Sequence, residues 1–186
     1  MLLSDRLFRT ALPAAALAAL MALSACQVRP LYGGAEGTAL NAKMHQLAFN
    51  TPTTPVAQYV LNDLIFLTAG GLGESADPKY DVNVSAFAIT SEVLVDDSSD
   101  TASAGRTIVT ADYSLRRRSD SKLLASGRRK AIALVDFPSQ EFARLRAIRD
   151  AEQRASKEVA EIINADLAIA LNKEPPEVLP PAPAPQ

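Results

Sequence analysis

Apolar residues change their spacing repeatedly along the chain, and each spacing predicts an element. In His45-Gln46-Leu47-Ala48-Phe49, Leu47 and Phe49 share a face, which predicts a short first strand. Val56, Val60, Leu64 and Leu67 then recur at helical spacing, with Leu61 and Ile65 widening the stripe. Thr53 and Thr54 precede Pro55, as an N-cap precedes a proline at the first helical position, and Gly70 supplies the stop. From Tyr80 the period falls to two: Tyr80, Val82, Val84, Ala86 and Ala88 alternate with Asp81, Asn83 and Ser85, and Val93-Leu94-Val95 extends the strand. The polar run Asp96-Asp97-Ser98-Ser99-Asp100 reads as a turn or loop, with extra residues reaching Ala104. Val109, Ala111, Tyr113 and Leu115 form one face of a third strand, and Thr110, Asp112 and Ser114 form the other. Ser119-Asp120-Ser121-Lys122 turns the chain, and Leu123 to Phe137 supplies a fourth strand with a bulge expected at Gly127.

Behind Pro138-Ser139 the helical period returns. Ile148, Ala151, Ala155, Val159, Ile162, Ile163, Leu167 and Ala170 line one face as far as about Asn172. Arg144, Arg149, Glu152, Arg154, Lys157, Glu158 and Glu161 lie mostly elsewhere, and the alanines let the helix lie close to a sheet. Pro175, Pro176, Pro180, Pro181, Pro183 and Pro185 cannot continue it, so 174–186 is expected to be a Pro-rich disordered tail. The order strand, helix, three strands, helix favours segregated layers. The expected fold is α+β, with two helices packed on one face of a four-stranded, mainly antiparallel sheet over residues 44–173. Tyr113 and Phe137 read as core aromatics. The opposite sheet face then meets water, lipid or a partner.

The apolar run ahead of these elements has another meaning. Arg6 and Arg9 precede an alanine-rich stretch that ends in Leu23-Ser24-Ala25-Cys26, and Cys26 is the only cysteine. A spanning helix needs about 20 unbroken apolar residues; this stretch is shorter and carries Pro13. The layout is that of a bacterial lipoprotein signal over 1–25, whose cleavage leaves the Cys26 thiol to take a diacylglycerol. An ordinary signal peptide or a buried thiol are the competing readings. Buried methylenes at about 0.8 kcal/mol each make an acylated anchor effectively permanent. Pro30, Gly33, Gly34 and Gly37 mark 26–43 as the tether between lipid and domain. Gln27, where an aspartate would favour retention in the inner membrane, favours the outer membrane, with the protein lipid-anchored on its periplasmic side.

Composition narrows the chemistry. With a formal net charge of −2 there is no global field to recruit nucleic acid, so any anion site is local. One cysteine and one histidine build neither an internal disulfide nor a Cys/His metal cluster, and His45 reads as a near-surface strand residue. Neither a phosphate loop, a nucleophile elbow nor a His-Glu-x-x-His pair is present. Gly70-Gly71-Leu72-Gly73 follows a helix instead of opening one, as a helix stop does. No enzyme activity, cofactor or metal is expected.

Cys26 followed by Val28-Arg29-Pro30-Leu31-Tyr32-Gly33, and then this order of elements with the Tyr113-Ser114-Leu115 hairpin leading to Ser119-Asp120, resembles the LptE family of lipopolysaccharide-assembly lipoproteins in its alphaproteobacterial form. The resemblance runs from Cys26 to about Asn172. It implies a non-catalytic protein that sits in the lumen of the outer-membrane barrel LptD, assists its assembly and helps deliver lipopolysaccharide to the outer leaflet. An auxiliary lipoprotein of a lipid ABC export system is the alternative, and a periplasmic ligand-binding or hydrolytic lipoprotein a further one. Lipopolysaccharide phosphates call for cations, and arginine forks suit phosphate best. Arg116, Arg117, Arg118, Arg128, Arg129 and Lys130 are the candidates, with the two triplets expected to approach across the hairpin. The bland reading is that these cations block edge pairing or add solubility.

Overall fold

The computed structural model describes residues 34–96 and 101–175. The chain divides into two units, Met1–Gly37 and Thr38–Gln186, and the fold belongs to the second. In order, the elements are α1 (Gly34–Met44), β1 (Leu47–Phe49), α2 (Pro55–Ala69), β2 (Tyr80–Asp96), β3 (Thr101–Arg117), β4 (Leu123–Asp136) and α3 (Glu141–Lys173). They form one four-stranded sheet in the order β1-β2-β3-β4, with helices packed on it, which is the expected α+β fold. β1 lies parallel to β2, and the other pairs are antiparallel. A parallel pair needs a crossover, which α2 provides.

One parity of side chains builds the core. Val82, Val84 and Ala86 of β2, Val109, Ala111, Tyr113 and Leu115 of β3, and Ala131, Ala133 and Val135 of β4 are buried. α2 meets them with Val56, Ala57, Val60, Leu61 and Leu64. Its N-cap is Thr54, whose Oγ1 accepts from Ala57 N at 3.0 Å, and Gly70 ends it in the left-handed conformation at φ 58°. α3 buries Ala151, Ala155, Val159, Ile163 and Leu167 as expected, together with Ser156, Ala160, Ala168 and Leu171. That wider stripe serves two neighbours, because α3 packs on α2 as well as on β3 and β4. Ile148, Ile162 and Ala170 are only half-buried at its margins. Tyr113 and Phe137 are core aromatics, as read from the sequence.

Several boundaries differ from the sequence expectation. The tether expected through residue 43 is helical from Gly34, because Leu40 and Met44, one turn apart, are both buried in the domain. Lys43 Nζ also donates to the carbonyls of Leu171 (3.0 Å) and Glu174 (2.6 Å) at the end of α3, where the helix dipole favours a cation. His45 sits exposed in the turn before β1, outside the strand. Leu67 is 40% exposed; the buried face continues through Thr68, whose Oγ1 bonds back to Leu64 O at 2.8 Å. β2 and β3 pair as far as Asp96 with Thr101, so the expected loop is shorter than Asp96 to Ala104, and 97–100 lie outside the described residues.

Gly127 is not a bulge: it pairs in register with Tyr113, and the irregularity falls between Leu115 and Arg116, which pair with Ala125 and Leu123. The glycine is needed for a close approach, since a Cβ there would stand 3.0 Å from Tyr113 Cε1. α3 begins at Glu141, after Pro138-Ser139, with Gln140 as an N-cap that makes no side-chain bond. Glu174, the first residue of the expected tail, is held by Arg117. Cys26 and the prolines from Pro176 onward lie outside the described residues.

Candidate functional site

The second face of the sheet carries the alternate side chains, and the strand register arranges them in cross-strand rows. Asn83, Ser114 and Ser126 form one row, and Ser85, Asp112 and Arg128 the next. Then the chemistry changes: Phe87, Thr110 and Lys130 are followed by Ile89, Ile108 and Ile132, and by Ser91, Arg106 and Leu134. Phe87 is 48% exposed, Ile89 59%, Ile132 54% and Leu134 73%. The face is therefore polar towards the β3–β4 turn and apolar towards the far end of the hairpins. Large apolar side chains gathered on one exposed face mark an interaction surface more often than scattered ones do.

Sequence reasoning assigned this face to polar residues and missed the apolar half. The signal was present in Ala86-Phe87-Ala88-Ile89 and in Ala131-Ile132-Ala133-Leu134-Val135, which are apolar on both parities. Such continuous runs indicate strands covered on both faces, and here the helices cover only one.

The two basic triplets do not converge. Arg128 lies opposite Asp112, Arg129 opposite Ala111 and Lys130 opposite Thr110, whereas Arg116 lies opposite Leu123. The offset follows from the turn: Arg116, Arg117 and Arg118 abut it, and the second triplet lies further along β4. Four residues of strand separate Arg116 from Asp112, about 13 Å at the usual rise.

Most of these cations already have partners. Arg128 forks onto Asp112 across the open face, with Nε to Oδ1 at 2.7 Å and Nη2 to Oδ2 at 3.0 Å. The Arg128 hydrogen bond holds the Asp112 carboxyl below its usual range. Arg129 points to the helical side and donates through Nε to Asp166 Oδ2 at 2.7 Å. Arg117 pairs with Asp120 at 2.8 Å and with Glu174, and Arg118 pairs with Asp81 at 2.7 Å. Arg116 donates to Ser121 O at 3.2 Å. Among the described residues, only Arg116 and Lys130 of the six make no ion pair, and both belong to the open face.

On the helical side, Tyr113 Oη donates to the same Asp166 oxygen at 2.9 Å. Burial pushes the phenol up to about 12, and the Asp166 hydrogen bond and charge add to it. Burial also works against the Asp166 carboxylate, but hydrogen bonds from Arg129 and Tyr113 outweigh it and leave that carboxyl below its usual range. At neutral pH the trio is a protonated phenol, a carboxylate and a guanidinium, and it ties β3 and β4 to α3. It borders a shallow cleft of about 310 Å³ lined also by Lys122, Leu124, Lys173 and Glu174, where both signs of charge meet. Among the described residues no three His, Cys, Asp or Glu side chains gather as metal ligands, and no helix is long and apolar enough to cross a membrane.

Neither a protein-family model nor a curated protein matches the sequence. Solved structures do align with the chain. Two of them, a minor lipoprotein of Acinetobacter baumannii and the rare lipoprotein B of Shewanella oneidensis, align with TM-scores of 0.49 and 0.47 at 8% and 11% identity, covering 66% and 67% of this chain and 90% and 92% of theirs. A Caulobacter crescentus protein named as a lipoprotein aligns with a TM-score of 0.61 at 17% identity, over 74% of this chain and 98% of its own, so the two chains share one fold.

Proposed function

We propose that this chain is a non-catalytic lipoprotein, anchored through Cys26 on the periplasmic side of the outer membrane, that partners the LptD β-barrel in its assembly and in delivering lipopolysaccharide to the outer leaflet. The observation that carries the reading is the sheet face left uncovered by the helices, one half polar and one half apolar. A barrel lumen offers a polar wall, which the Asn83 and Ser85 rows can meet by hydrogen bonding. The apolar half gives a partner or an acyl chain a surface to cover. Lipopolysaccharide phosphates then have Arg116 and Lys130 as available cations, with the forked Arg128 reachable once Asp112 is displaced. The lipobox and the Cys26 to Gly33 run support the anchor and the family resemblance.

Affinity purification of the tagged full chain from outer membranes tests the reading. Recovery of a large β-barrel protein is the expected result. Recovery of an inner-membrane ATPase complex alone would overturn it in favour of the export-system alternative.

A further inference from the structure

The two edges of the sheet are finished differently. β1 pairs with β2 only from Tyr80 to Val82, and beyond it side chains stand in for a strand. Asn50 Nδ2 donates to Val84 O at 3.1 Å and Asn50 Oδ1 accepts from Val84 N at 2.7 Å, while Thr54 Oγ1 donates to Ala86 O at 2.9 Å. These bonds identify the even-numbered residues of β2 as those whose backbone looks away from β3. By strand alternation the N–H and C=O groups of Ala88 and Thr90 look the same way. Among the described residues no partner meets them.

The β4 edge is blocked instead. Arg129 Nη1 donates to Arg128 O at 3.3 Å, Arg154 Nη2 donates to Leu134 O at 3.0 Å, and Arg128, Arg129 and Lys130 charge the strand. Charge and capped carbonyls are standard protection against an added strand. Beyond the capped Ala86 carbonyl, the β2 edge has neither as far as Ser91. Phe87-Ala88-Ile89-Thr90-Ser91 contains no charge and no proline, and the next residue, Glu92, is engaged by Arg144 at 2.6 Å.

We infer that β2 from Phe87 to Ser91 is a strand-docking edge, where an extended segment of a partner protein adds as a further strand. Its backbone bonds to Ala88 and Thr90 supply attachment, and its apolar side chains lie beside Phe87 and Ile89 on the open face. A ladder of alternating donors and acceptors is chemistry that only another extended backbone satisfies in full. The inference goes beyond the barrel reading and stands without it, since a closed barrel has no free strand edge to offer.

The test uses the full chain in detergent micelles and a synthetic peptide of alternating valine and threonine with lysine at each end. Amide hydrogen exchange read by NMR should slow at Ala88 and Thr90 by about tenfold or more on adding peptide. It should not slow at Ile132, whose amide looks out from the β4 edge. Ala88→Pro removes one outward N–H without touching the bonds to β3, and should abolish the slowing at Thr90. Phe87→Lys, which alters only an exposed side chain, should weaken it too, and Ile132→Pro should leave it intact. No slowing with the unaltered chain, or equal slowing at Ile132, would overturn the inference. So would concentration-dependent slowing without peptide, which would give the edge to a second copy of this chain.

Discussion

At the scale of single residues, two aromatics decide where glycine is required. A Cβ on the buried Gly105 would stand 2.5 Å from Phe137 Cζ and 2.7 Å from Ser91 O, so the ring and a neighbouring strand leave no room for a methyl group. Gly105→Ala should lower the unfolding free energy by about 1–3 kcal/mol in urea titration, the usual cost of overpacking. An unchanged midpoint would mean that the strands yield there without strain. Phe137 and Tyr113 were legible as core residues from their place in alternating patterns. Their glycine partners were not, because Gly105 to Phe137 and Gly127 to Tyr113 are contacts between residues distant in the chain. The arginines show the same limit: their number and clustering are visible in the sequence, but Asp81, Asp112, Asp166 and Glu174 reach them only through register and helix docking.

The Tyr113, Asp166 and Arg129 trio also sets a pH dependence. The Asp166 carboxyl is depressed in the folded state, so its contribution to stability is present above the ordinary carboxylate range and is lost as pH falls through the folded value. Tyr113 is raised from 10.0 to about 12, so its contribution is present below 10 and is lost as pH rises towards 12. Urea titrations of the unaltered chain should therefore lose stability at both extremes. Asp166→Asn should remove part of the acid-side loss, although Asp112, also depressed, retains its share. Identical acid slopes for the two chains would show that Asp166 is not coupled to Arg129 in solution.

At the scale of elements, side chains complete what short elements leave open. β1 has only Leu47, Ala48 and Phe49, and Asn50 extends it by presenting an amide to Val84 as a further strand residue would. Asn50→Ala leaves both groups of Val84 without that partner and should cost about 1–3 kcal/mol, read as a lowered urea midpoint. A change within error would show that water replaces the amide at no cost. The sequence made α2, its Thr54 cap and its Gly70 stop legible, because local rules govern all three. It concealed α1, where glycines at the start obscure the Leu40 and Met44 pair. Leu67 is exposed because it follows Leu64 by three residues, whereas the buried stripe of Val56, Val60 and Leu64 keeps its four-residue step and continues at Thr68. The ends of β3 and α3 shifted for a related reason: strand pairing and helix docking, which periodicity alone does not contain, set where they begin.

At the scale of the whole molecule, the layered α+β architecture followed from the order of elements, and so did the existence of one uncovered sheet face. What occupies that face depends on which residues come side by side, and three isoleucines from three strands form a row only in the folded register. The proposed function requires that this face docks a partner. The most direct measurement compares recovery of the β-barrel protein from outer membranes by the unaltered tagged chain and by a chain carrying Ile89→Asp and Ile132→Asp. Both side chains are more than half exposed, at 59% and 54%, so the fold should survive. Recovery should fall by about tenfold or more with the doubly altered chain, in keeping with loss of a buried apolar contact. Equal recovery by both chains would mean that the apolar row takes no part in holding the barrel, against the proposed function.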